Sequence, residues 1–217
     1  LKAINFDIPK LENGVKIQAT AIMDYRIDNR NPVPVLYQSG YLTVKDYDRL
    51  MDKYTLGFPN EEVRYGFYNE LLREYMPGKD IWSEFYVANF IEDLLSHDTE
   101  SFMTRLKAFF ADVPYELNNK AEKHFQTVFY IFFKLMGQYV EVEYRTATGR
   151  IDAVVTAADT VYVFEFKLSD SATAEDAIRQ IDEKGYLIPF TASGKRLVKI
   201  GVAFSLEERG VSQWIVK

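Results

Sequence analysis

Glu165 and Lys167 are charged residues placed where burial should exclude them. Val161-Tyr162-Val163-Phe164-Glu165-Phe166-Lys167-Leu168 is apolar apart from those two positions. A strand covered on both faces reads as such a run. Glu and Lys are almost never fully buried without partners, because an unpaired charge is costly away from water. The upstream stretch Gly149-Arg150-Ile151-Asp152-Ala153-Val154-Val155 supplies the pairing strand. A hairpin with its tip at Ala158-Asp159 sets Asp152 opposite Glu165. Side chains alternate faces with period two, so Glu165 and Lys167 share a face. Opposed residues have Cβ atoms about 4.5–5.5 Å apart. Two carboxylates therefore converge beside one ammonium, and they repel unless one is protonated or a cation lies between them. A hard divalent ion, Mg²⁺ before Mn²⁺, suits one or two carboxylates completed by waters and a substrate phosphate. The competing reading is a buried ion pair of Glu165 with Lys167 or Arg150, which gives no reason for Asp152 to fall opposite Glu165.

Asp152, then Glu165-Phe166-Lys167, then a helix carrying Gln180, resemble the PD-(D/E)XK nuclease superfamily. The segment from Glu122 to about Phe204 is similar to the nuclease-like domain found behind AAA-type ATPase domains in many bacterial proteins. Ile151 stands where the superfamily's name has Pro, and Glu122 is the candidate for the acidic residue of the first helix. The resemblance implies a metal held by Asp152, Glu165 and the backbone carbonyl of Phe166, with Glu122 as a further ligand. It gives Lys167 the role of orienting the attacking water or offsetting developing charge, and Gln180 a contact with phosphate or water. The bland readings are a solvated Gln180 and a Glu122 favoured in a first helical turn by the helix dipole.

The chain has 217 residues, a net charge of −6, 47% hydrophobic and 15% aromatic residues, and no cysteine. It is long enough for one or two domains with a sizeable core. Thiolate metal sites and disulfides are excluded. The two histidines, His97 and His124, lie in different segments. No run approaches the ~20 apolar residues that span a bilayer, and no signal peptide is visible, so a cytoplasmic location is expected. The acidic balance argues against strong intrinsic nucleic-acid affinity. Local basic residues at Arg145, Arg150, Lys184, Lys195, Arg196 and Lys199 partly offset it.

The elements needed to hold the site can be read in turn. Asn119–Met136 is the strongest helix, with Phe125, Val128, Phe129, Phe132, Leu135 and Met136 at helical spacing and Gly137 at the expected C′ position. Val140–Tyr144 starts a sheet, the hairpin follows, and Thr173 with Asp176 resembles a capping box opening a helix that runs to Lys184. Leu197–Phe204 is a strand, and Trp214–Val216 a last edge strand. This order, helix, three strands, helix, strand, gives an α/β (α+β) restriction-endonuclease-like core: α-β-β-β-α-β, with a mixed sheet flanked by helices. Two more helices are expected near 81–96 and 98–111.

Upstream, Met76-Pro77-Gly78 breaks the pattern. It divides the chain into 1–77 and a nuclease-like domain, 78–217, with a helical extension. Residues 34–43 and 54–63 are similar to the winged-helix tail of the same ATPases, so 1–77 is expected to be winged-helix-like and mostly helical. Val35–Gln38 and Val63–Tyr75 are its helices, and Tyr41–Val44 and Tyr54–Phe58 its wing strands. Arg64 and Lys53 are its candidate DNA contacts. The chain opens on Leu1, and no G-x-x-x-x-G-K-[ST] loop occurs, so a C-terminal portion of a larger ATPase-nuclease protein is expected. The leading function is a metal-dependent nuclease acting on nucleic acid, DNA before RNA, with the ATPase domain as a partner. The alternative is a nuclease fold kept as a non-catalytic regulatory or partner-binding module. A small-molecule hydrolase has no nucleophile–base pattern behind it.

Overall fold

The computed structural model describes residues 8–23, 31–75, 84–111, 121–137, 141–144, 152–168, 172–205, 207, 208 and 210–217, with the backbone alone at 9, 84–86, 121–126 and 141–144. The chain divides into two compact units, Leu1–Glu74 and Tyr75–Lys217. The expected break at Met76-Pro77-Gly78 lies outside the described residues.

The first unit is built on a three-stranded antiparallel sheet: β1 (Val15–Gln18), β2 (Thr43–Asp48) and β3 (Lys53–Gly57), in the order β1-β3-β2. The two strands expected in this region are thus joined by a third. β1 escapes sequence reading because it is four residues long and buries only Ile17, too little for a period-two signal. Helices α1 (Val33–Gln38) and α2 (Glu61–Tyr75) and short 3₁₀ turns at Ile8–Leu11 and Ala21–Met23 accompany the sheet. Pro34 sits in the first turn of α1, where its missing N–H is harmless. Asn60 Oδ1 accepts from the Val63 N–H at the start of α2. Arg64 is engaged rather than free for DNA: it lies against Glu12 at 3.4 Å and pairs with Glu61, while Tyr68 donates to Glu12 at 2.6 Å.

The second unit is a five-stranded mixed sheet between helices. Its strands β4 (Glu141–Tyr144), β5 (Ala153–Ala157), β6 (Thr160–Leu168), β7 (Arg196–Ser205) and β8 (Gly210–Val216) lie in that order. All neighbours are antiparallel except β6 and β7, which are parallel. Helix α6 (Ala174–Glu183) therefore carries the crossover between them. The helices α3 (Glu84–Leu95), α4 (Thr99–Ala111) and α5 (Ala121–Met136) precede the sheet.

The alternation of β6 explains why a nearly continuous apolar strand is needed. Phe164 and Phe166 point to the α4–α5 side, where their rings meet Phe102 at 5.6 Å, Phe133 at 5.5 Å and Phe129 at 4.5 Å. Val161 and Val163 point the other way, into a second core with Val154, Ile178, Ile181 and Tyr186 beneath α6. Both faces are covered, so both must be apolar. Glu165 and Lys167 continue the row of Val161 and Val163 on the α6 side.

Helix α6 starts at a reciprocal capping box. Thr173 Oγ1 accepts from the Asp176 N–H and Asp176 Oδ2 accepts from the Thr173 N–H. It lies very close to the sheet because β7 carries glycine where it passes beneath. A Cβ on Gly201 would come within 2.5 Å of the Ala174 carbonyl oxygen and 3.0 Å of the Ile178 nitrogen. Gly201 is also the residue that pairs with Glu165, so this close helix–sheet approach lies beside the charged face.

Candidate active site

The β5–β6 register places Ala153 opposite Phe164 and Ala157 opposite Thr160, closing on Ala158-Asp159. Continued by one residue, it sets Asp152 against Glu165, as the spacing predicts. Asp152 lies just before β5, and its Oδ2 accepts from the Phe166 N–H at 2.8 Å. The strand end is thus tied to the strand carrying the other two charged groups.

Glu165, Lys167 and Gln180 form a triangle. Lys167 Nζ donates to Glu165 Oε1 at 3.1 Å and also to Gln180 Oε1. Gln180 Nε2 donates to the same Glu165 Oε1, and to Tyr186 Oη at 3.3 Å. Gln180 is therefore not a solvated helix residue: α6 aims it at the sheet, one turn after the buried Ala177 and next to the buried Ile181. The ion-pair reading is met at one oxygen of Glu165. The other oxygen, Oε2, is buried and has no hydrogen-bond partner among the described residues.

Electrostatics follow from this packing. Burial, then the neighbouring Asp152 charge, pushes the Glu165 carboxyl from 4.5 up to about 7, against the pull of Lys167 and Gln180. Burial raises Asp152 from 3.8 to about 6, although the Phe166 N–H and the Lys167 charge oppose it. A simple salt bridge would have lowered both. Each carboxylate is held in a setting that favours a proton or a cation.

That donor set fits a hard divalent ion, which binds through one or two carboxylates and fills its remaining positions with water and substrate oxygens. Asp152 and Glu165 are its candidate ligands, and Glu165 Oε2 is an oxygen with no partner among the described residues. Among the described residues no group of three or more His, Asp or Glu is clustered for a metal. Glu122 lies on α5, but its side chain is outside the described part, as are Arg145 and Arg150. Lys199, one of the basic residues counted towards nucleic-acid binding, is engaged by Asp182 at 2.8 Å.

Tyr186 is the member that sequence reading missed. Its signal is the aromatic residue directly after the glycine that closes α6, a pattern more often read as core packing. Elsewhere on β6, Thr160 and Tyr162 meet His97 Nδ1, each at 3.2 Å, and Tyr162 donates to the Leu94 carbonyl at 2.7 Å. This is a polar lock between the hairpin and the turn after α3, away from the carboxylates.

Comparison with known proteins bears on this segment. A curated relative from Azotobacter chroococcum mcd 1, described as an uncharacterized protein in the vnfD 5′ region, is 31% identical over 216 residues. The match takes in 96% of this chain and 42% of the relative's length. No solved structure matches the chain significantly. Among the described residues no helix is long and apolar enough to cross a membrane. Residues 120–214, which carry Asp152, Glu165, Lys167 and Gln180 together, match the model of the PD-(D/E)XK nuclease superfamily.

Proposed function

We propose that residues 78–217 are a metal-dependent nuclease of the PD-(D/E)XK superfamily, hydrolysing phosphodiester bonds of nucleic acid, DNA first, with water as the nucleophile. The observation that carries this reading is Glu165. It is buried, raised to about 7, tied through one oxygen to Lys167 and Gln180, and left with a buried second oxygen beside Asp152.

In this reading Asp152 and Glu165 hold a Mg²⁺ or Mn²⁺ ion, joined by the Phe166 carbonyl and Glu122. The ion would supply Lewis acidity, easing deprotonation of a water and offsetting charge on the phosphate. The chain's own residues do the rest. The sheet fixes the two carboxylates by backbone pairing, so little reorganisation accompanies the reaction. The Lys167 ammonium, set by Glu165 and Gln180, presents positive charge where an attacking water and the phosphate oxygens meet. Gln180 orients Lys167 and offers its amide to the same atoms. The apolar core under α6 shields the face from bulk water, which strengthens each of these interactions.

Residues 1–77 are read as a winged-helix-like tail, and the whole as the C-terminal part of a cytoplasmic ATPase-nuclease protein. The relative, more than twice as long as its matched part, supports a longer parent. A second reading, a nuclease fold kept as a non-catalytic module, is favoured by the Glu165–Lys167 pair and the net charge of −6.

The test is incubation of the chain with labelled single- and double-stranded DNA and RNA, in Mg²⁺, Mn²⁺ or EDTA, beside Lys167→Ala. Cleavage that needs the metal and is lost in Lys167→Ala is expected, and the substrate cut identifies the class. Absence of cleavage in every combination would reject catalysis by this chain and leave the non-catalytic module.

A further inference from the structure

We propose that Tyr186 is a positioning residue of this site: its hydroxyl holds the Gln180 amide so that the amide oxygen meets Lys167 and the amide nitrogen meets Glu165. The inference rests on the nuclease reading for its kinetic consequence and on geometry alone for its structural one.

The geometry begins at the end of α6. Gly185 has φ +63 and donates to the Asp182 carbonyl at 3.1 Å, while the Tyr186 N–H donates to the Ile181 carbonyl at 3.1 Å. These two bonds are the Schellman closure, which needs a left-handed residue and turns the next one back along the helix. A side chain on Gly185 would also meet Ile188 at 2.5 Å. The turn buries the Tyr186 ring against Ile178, Ile181 and Val163 and brings its hydroxyl 3.3 Å from Gln180 Nε2.

A glutamine amide has two donor hydrogens and one acceptor oxygen. In this site the carboxylate takes one hydrogen and Lys167 takes the oxygen, which leaves the second hydrogen. Tyr186 Oη accepts it. With that bond in place, rotation of the amide would break three interactions together. Without it, the amide is held by Glu165 and Lys167 alone, the two groups that must also engage metal and substrate. A ring packed only for its apolar area would not need its hydroxyl at that point.

The experiment compares wild type, Tyr186→Phe, Gln180→Ala and the double variant. Phe keeps the ring, so the fold is retained, and thermal melting checks this. In cleavage assays Tyr186→Phe should lower kcat about three- to tenfold, the scale of one lost hydrogen bond, with KM little changed and no effect in the Gln180→Ala background. An equal loss in both backgrounds would overturn the proposal. The second readout is the side-chain amide resonance of Gln180 in the metal-free protein. Its protons should exchange with water several-fold faster in Tyr186→Phe, and unchanged exchange would overturn the proposal. If the wild type cleaves nothing, the nuclease reading fails by itself and the amide resonance still decides the role of Tyr186.

Discussion

Replacing Glu165 by Gln should make the metal-free protein relatively more stable as pH rises. In the unfolded chain the carboxyl ionises near 4.5, and in the folded protein near 7. Well below 4.5 both states carry the proton and the group contributes no pH dependence. Between 4.5 and 7 the unfolded chain releases the proton while the folded one keeps it, so unfolding becomes easier. Above 7 the loss levels off at about 3 kcal/mol, at about 1.4 kcal/mol per pH unit. Asp152, raised from 3.8 to about 6 chiefly by burial, adds a slope of its own in both proteins; its charge also helps to raise Glu165, and because that repulsion is mutual Asp152 ionises more easily in Glu165→Gln, which adds to the variant's gain. Urea unfolding in EDTA, extrapolated linearly, should show Glu165→Gln gaining on wild type by about 2 kcal/mol between about pH 5.5 and pH 8. A flat difference, or wild type gaining instead, would mean that Lys167 holds Glu165 ionised as an ordinary salt bridge. Glu165 would then need no cation.

Three further outcomes follow from the same geometry. Mg²⁺ or Mn²⁺ should raise the melting temperature of wild type, by an amount equivalent to about 2.7 kcal/mol at a hundred times its Kd; Asp152→Asn should abolish the rise, and an undiminished rise would remove Asp152 from the metal site. Gly201→Ala should cost about 1–3 kcal/mol by overpacking. It should also weaken cleavage, since the new Cβ presses on the Ala174 carbonyl and lifts the helix that carries Gln180; unaltered melting and kinetics would contradict the close approach. Tyr162→Phe strips the Leu94 carbonyl of a buried donor and should lower stability by about 1–3 kcal/mol. Cleavage by the still-folded protein should persist, and a matching loss of kcat would tie that lock to the site.

The charged face was legible because a β-hairpin is a nearly one-dimensional object. Given the tip at Ala158-Asp159, the period of two and antiparallel pairing dictate that Asp152 meets Glu165 and that Lys167 shares their face. The strand's apolar run announced that both sheet faces are covered, and Thr173 with Asp176 announced the start of α6. The N-terminal unit was less legible. β1 is short and mostly exposed, and its pairing with β3, some forty positions away in sequence, leaves no local periodicity. Arg64 reads as a free cation until Glu12, 52 positions back along the chain, is folded against it.

What tertiary structure alone decided is the state of the charged groups. Sequence places two carboxylates and an ammonium on one face, but burial depth and helix approach determine which oxygen is satisfied and which is not. Gly201 lets α6 come down onto the sheet, α6 delivers Gln180 into the gap, and the Schellman turn at Gly185 folds Tyr186 behind it. The first two steps depend on contacts between residues far apart in the chain, the last on a local turn, and desolvation depends on all of them together. Residue spacing therefore determined where Asp152, Glu165 and Lys167 stand, while the packed fold pushes the Glu165 carboxyl up to about 7 and leaves it one buried oxygen without a partner among the described residues.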